Sequence, residues 1–212
     1  MSAKKLLFGA SCFVQAAAFP LLYTWGRHTW SWQLGYALAM TLALSLVRTH
    51  WHASWWLAFG TGFGLLASIG QWRLLPLIIA QVGLAFLLNT QTLSPRWQLS
   101  LWFIQVYFNQ ALLLFILMRL LTPTSLLVLA LLNLPLILAV WSDHLPLWVD
   151  ILGLLILIAI GYWTQQLTLV AAGGLLLIPS VISPRFMPLR PLVYVWASIL
   201  ITALFTLTRL HG

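Results

Sequence analysis

The sequence predicts an all-α fold, a polytopic transmembrane helix bundle of about nine spans, and three observations predict it. Of its 212 residues, 62% are hydrophobic and 6% are charged, where soluble domains carry roughly 25% charged residues. Mean hydropathy is +1.01. The charges stand singly between apolar segments that approach the ~20 residues needed to cross a hydrocarbon core, a medium in which a helix satisfies its own backbone. Residues 1–212 therefore read as a single integral membrane domain with no soluble domain.

The segments run roughly over 6–23, 32–47, 54–69, 74–90, 99–120, 125–140, 147–162, 167–182 and 191–207. Lys4 and Lys5 precede the first. Its Ala16-Ala17-Ala18 resembles a signal cleavage site, but the apolar run continues through Phe19, Pro20 and Leu21, which favours an uncleaved helix. The second closes on Arg48, and the third carries Gly60-Thr61-Gly62-Phe63-Gly64. That string looks like a nucleotide loop but lacks a βαβ setting. Gly60 and Gly64, four residues apart, are read instead as a close helix contact, and Gly173 with Gly174 as another in the eighth. The fourth opens behind Trp72 and Arg73 and ends at Asn89 and Gln91; Pro191 opens the ninth. Several segments have only 16 to 18 residues. The second and third, or the seventh and eighth, alternatively form a tight or re-entrant hairpin, and eight spans is the fallback count.

By the positive-inside rule, Lys4 and Lys5 put the N-terminus in the cytoplasm. Alternation then places Arg48, Arg96, Arg185 and Arg190 inside and Arg27, Arg73, Arg119 and Arg209 outside. Tryptophans cluster at predicted helix ends, Trp102 among them, and are expected to form interfacial belts, with Trp196 in the first turns of the last helix. The competing reading, an indole cage for a cationic or aromatic ligand, requires convergence on one cavity.

Short echoes recur about 90 residues apart. Ile69-Gly70-Gln71-Trp72 returns as Ile160-Gly161-Tyr162-Trp163, Leu93-Ser94-Pro95-Arg96 as Ile182-Ser183-Pro184-Arg185, and Met118-Arg119-Leu120 as Thr208-Arg209-Leu210. The pairs lie four helices apart, as a parallel duplication of a four-helix unit would place them.

Polar residues inside the segments are the most informative. Gln15, Gln81, Asn109 and Asn133 fall near the middles of helices one, four, five and six, and Gln105 sits one turn from Asn109 on the same face. An unpaired amide in hydrocarbon is costly, so these side chains should turn toward other helices. They are expected to pack helices, with Gln81 meeting Asn109; the alternative is a mid-membrane pocket for a neutral solute or lipid head group.

Composition excludes much chemistry. Two Asp, no Glu and a lone Cys12 leave few acids, bases or redox groups, so no enzyme and no cofactor is expected. Scattered basic residues make no nucleic-acid surface. His50, His52, Asp143 and His144, in two loops on one side of this topology, are the weak metal candidates. H-x-H spacing is nonspecific and loops beside a membrane are polar in any case, so no metal is expected.

Phe19-Pro20-Leu21-Leu22-Tyr23, a second helix closing on Arg48, Trp72-Arg73-Leu74-Leu75-Pro76 opening a fourth, and Trp102 through Phe108-Asn109 in the fifth resemble the intracellular septation protein A group, and related small polytopic proteins found with aryl-polyene pathways. The likeness covers roughly residues 6–140. It leaves helices seven to nine without counterpart, lacks the group's acidic and lysine-rich loops, and carries over no catalytic residue. It implies a bacterial inner-membrane protein of the cell envelope, an accessory or scaffold component whose partners are membrane lipids and a protein subunit or second copy. The alternative is a carrier for a neutral or lipid-like substrate.

Overall fold

The computed structural model describes residues 3–26 and 30–210, so Arg27 lies outside the described residues. Among those residues the chain is all-α: α1 (Ala3–Tyr23), α2 (Trp32–Val47), α3 (Ala53–Ser68), α4 (Leu75–Thr90), α5 (Pro95–Met118), α6 (Pro123–Trp141), α7 (Leu147–Trp163), α8 (Leu169–Ile182) and α9 (Pro191–Leu210). A 3-10 turn, Trp72–Leu74, leads into α4. The ends have local causes. Pro95, Pro123 and Pro191 open α5, α6 and α9, where a missing N–H costs nothing. Ser31 and Thr168 cap α2 and α8, accepting from Leu34 N at 3.2 Å and Ala171 N at 3.3 Å. Beyond α3, Gly70 turns the chain with φ +79°, the left-handed step glycine takes without strain.

Five helices are long and apolar enough to cross a membrane: α1, α4 with its leading turn, α5, α6 and α9. The others are shorter, α2 and α3 having 16 residues, α7 17 and α8 14. At about 1.5 Å per residue, a 14-residue helix covers roughly 21 Å of a core about 30 Å thick.

The described residues form two compact units, one within 1–93 and 104–122, the other within 94–103 and 123–212. In the first, α2 packs against α1, α3 and α4, and α3 against α4. Its core centres on Leu34, Ala37, Met40 and Leu44 of α2 with Ile78 and Leu112. Gly60 and Gly64 make the expected close contact: a Cβ at Gly60 would stand 2.8 Å from Leu44 Cδ2, and one at Gly64 2.7 Å from Ile78 Cγ2 and 2.8 Å from Met40 Sδ. In the second unit α6 packs against α7, α8 and α9, α7 against α8, and α8 against α9. Here only half of the expected glycine contact forms. A Cβ at Gly174 would stand 2.9 Å from Leu204 Cδ1, whereas Gly173 has open space where a side chain would point.

The three short echoes do not share local structure. Ile69–Trp72 lies beyond the end of α3, whereas its counterpart lies inside α7; Pro95 starts a helix, whereas Pro184 sits in a turn; Arg119 follows α5 with φ +60°, whereas Arg209 is helical. Similar peptides took the structure their flanks imposed. Ten of the 13 tryptophans are exposed, nearly all at helix ends, as interfacial residues would be; Trp102 departs from that reading, at 3% exposure, because it falls a full two turns inside α5.

Candidate functional site

All five amides singled out by the sequence are buried. Four belong to the first unit, and their partners differ from expectation. Gln81 does not meet the Asn109 side chain; its Nε2 donates to the backbone oxygen of Phe108 at 3.4 Å. Asn109 is met by α2 instead, the Thr41 hydroxyl lying 3.0 Å from its Oδ1. Since that hydroxyl has one proton and also stands 2.8 Å from Ala37 O, either orientation of the Asn109 amide leaves one of its polar atoms unmet. Helix rotation explains the difference: Asn109 faces α2, and the neighbouring Phe108 carbonyl is what α4 reaches. A sixth amide, Gln110, donates through Nε2 to Gln15 O at 3.2 Å and ties α5 to α1. Gln105 lines a crevice with Arg48, Asn89 and His50 that is too tight to admit a water molecule. Gln81 Oε1 and Gln105 Oε1 meet no donor. Asn133 does not join this group; it lies in the second unit, where its Nδ2 donates to Leu129 O one turn back in α6 at 2.8 Å.

The second unit holds an ionic cluster that the sequence did not assemble. Arg96, in the first turn of α5, pairs with Asp143 in the α6–α7 connection. Its Nη1 lies 2.7 Å from His144 Nε2, and His144 Nδ1 lies 3.1 Å from Asp143 Oδ1. A guanidinium only donates, so Nε2 is the acceptor and Nδ1 carries the proton to Asp143. The same connection is held from the α8–α9 turn. Arg185 Nη2 donates to Ser142 O and, at 2.7 Å, to Leu145 O, and the Ser142 and Ser183 hydroxyls are hydrogen-bonded. Trp141 Nε1 donates to Ser100 Oγ at 2.9 Å, and Tyr194 donates to Ile182 O at 3.0 Å. Both Ser-Pro-Arg echoes thus deliver an arginine to one loop. Arg96 reaches the side chains of Asp143 and His144, and Arg185 the backbone oxygens on either side of them.

This geometry limits the chemistry. An imidazole held by a carboxylate at Nδ1 is the arrangement a general base uses, but the base needs a free Nε2, and Arg96 occupies it. The metal candidates do not assemble: among the described residues no three His, Cys, Asp or Glu side chains gather. His50 and His52 have a backbone role, since both take left-handed φ, +53° and +48°, in the short α2–α3 connection, a conformation in which histidine is enriched. Three indoles do converge, as Trp51, Trp55 and Trp56 line an open recess of about 250 Å³ with His52 and Phe59. No acidic side chain lines it. Comparison with protein-family models, curated proteins and solved structures gives no match.

Proposed function

We propose that the protein is a non-enzymatic component of the bacterial inner membrane, with a cytoplasmic N-terminus, acting as an accessory or scaffold subunit that binds membrane lipids and a protein partner or second copy. The observation that carries this reading is how the buried amides of the first unit are used. Gln81, Asn109 and Gln110 bond to neighbouring helices, and the crevice beside Gln105 leaves no room for water. Such a layer fixes helices against one another; a carrier needs a chamber. The occupied Nε2 of His144 supports the non-enzymatic part.

The carrier reading keeps one specific support: Gln81 Oε1, Gln105 Oε1 and Asn109 Nδ2 are buried without partners, capacity that a polar solute would satisfy. Purification of the full chain from native membranes in a mild detergent separates the two. The scaffold reading expects a stoichiometric subunit or a stable homo-oligomer by light scattering, with no retained solute. A monomer that retains a neutral small molecule, lost on Gln105→Ala with melting unchanged, selects the carrier.

A further inference from the structure

In the first unit a cavity of about 390 Å³ opens where α3 passes into α4, lined by Gly70, Gln71, Trp72, Arg73, Phe115 and Arg119. It is the size of a small-ligand site. Arg73 comes from the α3–α4 connection and Arg119 follows α5, so the fold brings two arginines from separate connections to line one cavity. Among the described residues neither forms an ion pair or side-chain hydrogen bond. No counter-ion is available in this unit at all, because both carboxylates of the chain, Asp143 and Asp150, belong to the other. Both arginines are exposed, so a counter-charge that pairs with them comes from outside the unit.

The lining specifies that anion. Arginine forks match phosphate oxygens. Trp72 and Phe115 provide an apolar flank, and exposed indoles favour the head-group level of a bilayer. Gln71 Oε1 is buried there without a donor, so the ligand should also carry a hydroxyl. We propose that this cavity binds an anionic phosphate ester bearing a free hydroxyl, its source being the phosphoglycerol head group of a membrane lipid. Arg73 and Arg119 take the phosphate oxygens, Gln71 accepts from the hydroxyl, and Trp72 with Phe115 lies against the glycerol backbone. This inference rests on the lipid-binding part of the proposed function and stands independently of its scaffold part.

Calorimetric titration of the full chain in a nonionic maltoside tests it, with dihexanoyl-phosphatidylglycerol, dihexanoyl-phosphatidylcholine and glycerol 3-phosphate as probes. Saturable binding of one phosphatidylglycerol is expected, weakened about tenfold or more by Arg73→Gln or Arg119→Gln, largely kept by the lysine variants, and unchanged by Arg190→Gln outside the cavity. Tighter binding of phosphatidylglycerol than of glycerol 3-phosphate supports the lipid source. Equal, arginine-dependent binding of both supports the phosphate site but assigns it a soluble ester. No saturable binding to the wild type, equal binding of phosphatidylcholine, or indifference of phosphatidylglycerol binding to both glutamine variants overturns the proposal. Lysine variants that bind as the wild type show that the fold survives substitution, so a loss in the glutamine variants reports charge.

Discussion

Thr41 and Asn109 show what a single residue contributes when the solvent is hydrocarbon. Their contact joins α2 to α5 through one hydroxyl and one amide, and each membrane hydrogen bond of this kind is worth about 0.6 to 2 kcal/mol. Thr41→Val and Asn109→Ala should each lower the melting temperature in detergent, and the double variant should lose less than the sum, as coupled neighbours do; strict additivity would mean that the two do not interact. Gln81→Ala should add to Asn109→Ala, because Gln81 bonds to a backbone oxygen that the second substitution leaves in place. The burial of Gln81 and Asn109 was legible in the sequence, since a polar residue amid an apolar run is conspicuous. Their partners were not. Thr41 sits in an apolar helix as an ordinary threonine, and which face of α5 meets α2 depends on packing among four helices.

At the level of elements, the α2–α3 pair shows what a small residue is for. Gly62 has open space around it, whereas Gly64 is pressed against Met40 and Ile78. Alanine favours a helix over glycine by about 1 kcal/mol, so Gly62→Ala should leave melting unchanged or raise it. At Gly64 the same gain is opposed by overpacking of about 1 to 3 kcal/mol. Met40 Sδ can swing aside but the β-branched Ile78 cannot, and Gly64→Ala should melt lower than Gly62→Ala. The start of α9 was readable from Pro191, whereas α5, α6 and α8 begin at Pro95, Pro123 and Leu169 and not at 99, 125 and 167, because apolar runs alone do not record where a proline or a threonine cap starts a helix. The meeting of Arg96 and Arg185 on one loop was not readable, because nothing local records which distant carbonyl or carboxylate a guanidinium will find. Nor did the echoed peptides reveal their contexts, since a helix start and a turn both accept Ser-Pro-Arg.

For the whole molecule, charge and helix length set the terms. The first unit has basic residues and no acid, while the second holds both carboxylates, an imbalance visible in the sequence once the units are known. The membrane role of the short helices is settled by which side their connections reach. If α7 and α8 each cross, Gln165→Cys in their connection should be labelled by an impermeant maleimide only from the face opposite to Met187→Cys, with the buried native Cys12 silent; labelling of both from one face would mean a re-entrant hairpin. The brevity of α8 reaches past the protein itself. A bilayer is an elastic sheet, and where a helix of 14 residues stands across it, the surrounding acyl chains must shorten to keep its ends wet and its flanks dry, at a fraction of a kcal/mol for each ångström. If α8 crosses, that dimple travels with the molecule. Two copies, or a copy and another short-helix protein, relieve part of the deformation by lying side by side in one thinned patch, an attraction that requires no complementary surface and grows with the thickness of the membrane around them.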